Sequence, residues 1–89
     1  MAWTIAFEDA ARKELSKLGK PVAARIVKFL TERIASLENP RDIGEALKGS
    51  ALGEFWKYRV GDCRLICRIV DGRITIVVIR VGNRREVYR

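Results

Sequence analysis

Apolar and polar positions along this chain follow two different periods, with a change near residue 55. Residues 3–7, WTIAF, form a short apolar run of strand length. Glu8 and Asp9 follow and suit the positive end of a helix. Over residues 9–18 the apolar positions Ala11, Leu15 and Leu18 recur at helical spacing. Gly19 stops that helix, and Pro21 fits the first turn of the next. Over residues 21–37, Val22, Ile26, Phe29, Leu30, Ile34 and Leu37 make one stripe along a long amphipathic helix. The link between the two helices is very short, which predicts an antiparallel helical hairpin. Asn39-Pro40 ends the second helix, and residues 41–53 show little periodicity and read as a connecting loop.

From residue 55 the period is two. Residues 55–60, 63–70 and 73–81 read as strands separated by Gly61-Asp62 and Asp71-Gly72, both pairs suited to two-residue hairpin turns. A sheet needs a partner layer. The pattern therefore predicts one α+β domain over residues 1–89. An N-terminal strand leads into a two-helix hairpin packed on one face of a mostly antiparallel sheet, whose C-terminal part is a three-stranded meander.

Two-residue turns set the register. They place Val60 opposite Cys63, Arg59 opposite Arg64 and Lys57 opposite Ile66. Across the second turn they place Val70 opposite Arg73, Arg68 opposite Thr75 and Arg64 opposite Ile79. Side chains alternate between faces. One face then holds Trp56, Tyr58, Val60, Cys63, Leu65, Cys67, Ile69, Ile74, Ile76 and Val78, with Arg80 at its end, and packs on the helices. The other holds Phe55, Lys57, Arg59, Arg64, Ile66, Arg68, Thr75, Val77, Ile79 and Val81. Four cations thus share the second face, and no acid of the meander joins them. Like charges placed directly opposite destabilise a sheet. Either these side chains splay into water, or they form a trough whose missing anion is a ligand.

Charge distribution favours an anion. Residues 1–56 carry nine cations and eight anions, whereas residues 57–89 carry nine cations and three anions. The excess is nearly all arginine, whose planar fork suits phosphate. The apolar share of 48% is that of a globular protein rather than a disordered one. No apolar run reaches the ~20 residues that span a bilayer. The first residues show no basic stretch followed by a long apolar one, so the chain reads as cytosolic. Cys63 and Cys67 are too few for a zinc site in a chain with no histidine, and read as buried thiols.

The absence of histidine also removes the Ser-His-Asp and Cys-His pairs, and no glycine-rich phosphate loop precedes a helix. Lysine, arginine and tyrosine remain. That set suffices to cleave RNA, which carries its own nucleophile in the 2′-hydroxyl. The enzyme aligns it, stabilises the crowded phosphate and moves protons. A lysine among arginines is a plausible base because neighbouring positive charge disfavours its ammonium form.

WKYRVGDCRLI at residues 56–66, followed by VIRVGNRREVY at residues 78–88, resembles the RelE family of bacterial toxins. So does the order of strand, helix pair, loop with Leu47-Lys48-Gly49, and meander. The resemblance covers essentially the whole chain. It implies a ribosome-dependent endoribonuclease that cuts the mRNA codon in the A site through the 2′-hydroxyl. The products would carry a 2′,3′-cyclic phosphate and a 5′-hydroxyl, and no metal or other cofactor is needed. It implies a cognate acidic, RelB-like antitoxin, with the ribosome and mRNA as further partners. By the same resemblance Lys57 is the candidate general base, with Tyr88 and Glu86 as alternatives. Arg59 binds phosphate, Arg64 stabilises the transition state, Arg84 holds the scissile phosphate, and Tyr88 stacks on a base or assists proton transfer. Arg68, Arg85, Arg89 and Phe55 are further candidates for RNA contact. Cys63 stands where the family commonly has a tyrosine, a change expected to alter packing rather than chemistry. The competing readings are a gyrase inhibitor of the ParE branch and a basic nucleic-acid-binding module without catalysis.

Overall fold

The computed structural model of the chain describes residues 2–47 and 55–83. Among these residues five strands form one sheet in the order β1-β5-β4-β3-β2. They are β1 (Thr4–Phe7), β2 (Glu45–Ala46), β3 (Phe55–Val60), β4 (Cys63–Val70) and β5 (Thr75–Asn83). β1 runs parallel to β5, and the other neighbours are antiparallel. The helices α1 (Asp9–Lys17) and α2 (Lys20–Lys28) pack on one face. Ala11, Ile26, Leu30 and Ile34 from that layer meet Tyr58, Leu65, Cys67, Ile76, Val78 and Val81 from the sheet, all buried. The predicted α+β arrangement is the observed one.

The stripe over residues 21–37 is not carried by a single α-helix. After Lys28 the chain continues as a π-helical segment, Phe29–Ile34, in which the Ala35 amide donates to the Leu30 carbonyl at 2.8 Å. Ile26, Leu30 and Ile34 repeat every four residues and are all buried. A wider turn keeps that spacing on one line, where an α-helix would let it drift.

The first hairpin has the expected register, with Val60 opposite Cys63, Arg59 opposite Arg64 and Lys57 opposite Ile66. The second does not. Its connection runs through a 3-10 turn at Asp71–Arg73 and through Ile74, which adopts a left-handed conformation at φ 48°. Val70 therefore pairs with Thr75, and Arg68 with Val77. Ile74, expected on the core face, is an exposed turn residue. A bulge then places Ile79 between the Cys67–Val78 and Ile66–Arg80 pairs. The extra residue exchanges the faces of everything after it. Val81 turns into the core, and Arg80 turns out of it to meet Glu14 of α1, which also accepts a hydrogen bond from the Val81 amide at 2.9 Å.

The expected loop over residues 41–53 contains a short edge strand. A 3-10 turn at Pro40–Asp42 leads to Gly44 and β2, which pairs Glu45 with Lys57 and Ala46 with Trp56. Three buried or half-buried groups pin this segment. The Tyr58 hydroxyl donates to the Pro40 carbonyl at 2.6 Å, and Trp56 Nε1 donates to the Ile43 carbonyl at 2.8 Å. Arg41 makes a two-pronged contact with Asp71, with nitrogen–oxygen distances of 3.0 and 2.9 Å. That hydrogen bond holds the Asp71 carboxyl below its usual range. Its contribution is therefore present above the ordinary Asp range and is lost as pH falls through the lowered value.

Gly44 makes this docking possible. Its φ is +83°, and a Cβ there would lie 2.6 Å from the Lys57 carbonyl oxygen and 2.7 Å from Tyr58 Cδ1. Gly44→Ala combines overpacking with left-handed strain and is expected to destabilise the fold by about 3 kcal/mol. Urea unfolding followed by circular dichroism checks this, and an unchanged midpoint would contradict it.

Candidate functional site

β2 pairs only with the Trp56–Lys57 end of β3, and among the described residues no other strand pairs with the rest of that edge. A cleft of about 520 Å³ lies there, lined by Lys57 and Arg59 of β3, Arg64 of β4, and Gly44 and Glu45 from the β2 side. Phe29 and Arg33 of the π-helical segment, with Ile43 and Tyr58, complete its lining. The hairpin turn Gly61-Asp62 sets Arg59 and Arg64 directly across from each other.

The two arginines differ in exposure. Arg59 is exposed, whereas Arg64 is only 6% exposed and is the one buried charged side chain among the described residues. Its outward face does not put it in open solvent. Its Nη1 donates to the Cys63 carbonyl at 3.4 Å, a long bond. Among the described residues no carboxylate forms a salt bridge with Arg59 or Arg64. Lys57 does have one, with its Nζ 3.6 Å from Glu45. The trough is thus less purely cationic than the meander alone predicts, because β2 supplies an acid.

Two arginines paired directly across a hairpin, with no carboxylate salt-bridged to either among the described residues, are unfavourable by themselves, and a buried charge needs a counter-charge. A phosphate supplies both, through charge-assisted and bidentate hydrogen bonds. Among the described residues no cysteine lines the cleft. Burial pushes the Cys67 thiol up to about 12, and burial with the nearby Asp62 charge raises Cys63. Neither is a reactive thiolate at neutral pH. Burial raises the Tyr58 hydroxyl well above its ordinary value, in keeping with a structural role.

Of the residues expected in the site, the structure brings Lys57, Arg59 and Arg64 together. Arg68 shares their face but lines a separate cleft of about 610 Å³ with Arg73, Thr75 and Val77. Its Nε is buried without a hydrogen-bond partner. Phe55 pairs with Arg68 and does not line the Arg64 cleft. Arg84, Arg85, Glu86, Tyr88 and Arg89 lie outside the described residues, as do Lys48 and Gly49. Sequence reasoning missed Glu45, Gly44 and Arg33. The first two sit in a stretch too short to show a period, and nothing in the pattern ties Arg33 to the sheet.

Comparison with known proteins decides the family. The model for the ParE toxin of the type II toxin-antitoxin system parDE matches residues 5–88. The chain belongs to this family of type II toxins. Within it the similar curated proteins carry RelE-type names. Toxin RelG of Mycobacterium tuberculosis is 34% identical over 89 residues, covering 100% of this chain and 99% of its own. The mRNA interferase toxin RelE of Escherichia coli is 36% identical over 90 residues, covering 99% of this chain and 92% of its own. The fold matches the M. tuberculosis RelBE2 toxin–antitoxin complex with a TM-score of 0.83 at 30% identity, over 97% of this chain and 95% of that one. It matches a free mutant form of E. coli RelE with a TM-score of 0.77 at 33% identity, over 99% and 92%. The chain is thus a RelE-type member of the toxin family.

Proposed function

We propose that this toxin is an mRNA interferase, a ribosome-dependent endoribonuclease that cuts message in the A site. One observation carries the reading. A buried Arg64 guanidinium faces Arg59 across a strand pair, in an open cleft, with no acid of its own among the described residues. The E. coli relative named an mRNA interferase supports the same activity.

The chemistry uses RNA's own nucleophile. The 2′-oxygen attacks the adjacent phosphorus, the bond to the 5′-oxygen breaks, and a 2′,3′-cyclic phosphate and a 5′-hydroxyl result. Arg64 and Arg59 bind the non-bridging oxygens and stabilise the charge that builds there in the transition state. Lys57 adds a third positive charge and takes part in proton transfer. Arg84 and Tyr88 are proposed to complete the site from beyond β5, Arg84 on the scissile phosphate and Tyr88 against a base. Arg68, Arg85 and Arg89 serve as further RNA contacts.

The partner proposed for storage is an acidic RelB-like antitoxin, as in the RelBE complexes of similar fold. The working partners are the ribosome and its mRNA. Among the described residues no helix is long and apolar enough to cross a membrane, and the proposed location is the cytoplasm.

The alternative in the same family is gyrase inhibition. Purified toxin added to a translation extract is expected to cut messages within the translated frame and to leave the same RNA intact without ribosomes. Gyrase supercoiling is expected to continue. Inhibited supercoiling with intact message would overturn the reading.

A further inference from the structure

We propose that Arg68 and Arg73 form a second phosphate site, which holds a phosphodiester of RNA other than the one that is cut. This rests on the endoribonuclease reading above. It gives Arg68 a defined ligand group and adds Arg73, which that reading leaves out.

The site begins with an unmet donor. Arg68 Nε is the one side-chain nitrogen or oxygen among the described residues that is buried without a hydrogen bond. Leaving a buried donor unmet costs free energy, so such a group points to an acceptor supplied by a ligand. The register shows how the space beside it arises. Ala6 of β1, Val77 of β5, Arg68 of β4 and Phe55 of β3 stand in one row across the sheet. Ala6 and Val77 are short, and they line the cleft of about 610 Å³ beside Arg68. Arg73 lines the same cleft from the turn after β4.

No acid answers either arginine. Among the described residues neither Arg68 nor Arg73 is in a salt bridge, and no carboxylate lines their cleft. Asp71, in the same turn as Arg73, is taken up by Arg41. Two guanidiniums on one cleft without a counter-charge select an anion. A phosphate matches the planar fork with two oxygens at once. Turning the Arg68 side chain toward the cleft exchanges an unmet donor for a charge-assisted hydrogen bond.

Position favours RNA over an acidic protein segment. Arg64 and Arg68 are four residues apart on one face of β4, about 13 Å at the rise of a strand. A paired strand is a stiff ruler, and a nucleic acid is the ligand that carries anions at a regular repeat along one chain. With the scissile phosphate held by Arg64 and Arg59, a further phosphate at Arg68 and Arg73 comes from the same message or from ribosomal RNA beside it.

The test is single-turnover cleavage of a defined message on purified ribosomes, over a range of toxin concentrations, for wild type, Arg68→Gln and Arg73→Gln. Each variant should need about 10-fold more toxin for half the maximum rate, the scale of one charge-assisted hydrogen bond. The loss should fall on half-saturation and not on the rate at saturation. The source of the phosphate is read with messages that carry one uncharged methylphosphonate at a time, away from the cut. If it belongs to the message, one position weakens wild type to the same extent and adds nothing to Arg68→Gln. If it belongs to ribosomal RNA, no position does so, and Arg68→Gln pellets less with ribosomes that carry no message. Melting temperatures should match wild type. Arg73 lies on an exposed turn, so its variant keeps the test decisive if Arg68→Gln unfolds. Wild-type half-saturation in the folded variants would overturn the proposal. So would a weakened variant that neither couples to a message position nor pellets less with empty ribosomes, the result a site for an acidic protein segment would give. Failure of wild type to cut message on ribosomes would instead overturn the endoribonuclease reading.

Discussion

Arg64→Gln is expected to lower single-turnover cleavage on ribosomes by about 10³-fold, the upper end for loss of one preorganised donor to transition-state charge. The same substitution should leave thermal stability unchanged or raise it. Arg64 is buried, lies opposite Arg59, and has one long hydrogen bond to the Cys63 carbonyl. Removing a buried charge that no carboxylate among the described residues pairs, and relieving a like-charge pair, favours the folded state. Glutamine is chosen over alanine because it fills much of the same space and keeps a donor for that carbonyl. A loss of activity joined to a gain in stability marks a group retained for function at the expense of the fold. A variant that cleaves as fast as wild type would remove Arg64 from the site. A variant that unfolds would show that the guanidinium serves packing.

Lys57→Ala is expected to cost about 10²-fold in the same assay, because it removes from the cleft a positive charge and a group proposed to take part in proton transfer. The informative companion is Lys57→Arg. If Lys57 acts only through its positive charge, arginine preserves that charge and should recover most of the rate. If Lys57 is itself the base, arginine cannot replace it, because a guanidinium does not give up its proton in proteins. Recovery by arginine therefore separates a lysine that acts through its charge from a lysine that acts as the base. An alanine variant with the wild-type rate would exclude Lys57 from both roles.

How much of this was legible beforehand depended on local turn chemistry. Gly61 takes a positive φ of 59°, so Gly61-Asp62 closes a true two-residue turn and the first hairpin keeps the register its sequence announces. The Arg59–Arg64 pairing, the central feature of the site, could therefore be read from residues alone. Asp71-Gly72 looks equivalent but is not used that way. Ile74, rather than Gly72, takes the left-handed position, and a β-branched residue is the last one expected there. The bulge at Ile79 has no glycine or proline to announce it, so alternation alone puts Arg80 and Val81 on each other's faces. β2 is two residues long, too short for any alternation, and its contribution of Glu45 depends on Gly44 meeting a strand more than ten residues away. The helical stripe was read correctly in its buried positions, while its change from α to π geometry leaves no mark in an i, i+4 pattern.

The central claim is that the cleft between β2, β3 and β4 cuts RNA through the 2′-hydroxyl. Its most direct test is the chemistry of the product ends, read after one turnover on ribosomes carrying a defined codon in the A site. The account predicts an upstream fragment ending in a 2′,3′-cyclic phosphate and a downstream fragment beginning with a 5′-hydroxyl. It also predicts that both are lost with Arg64→Gln. A 3′-hydroxyl with a 5′-phosphate, or the same products from Arg64→Gln at an undiminished rate, would contradict it.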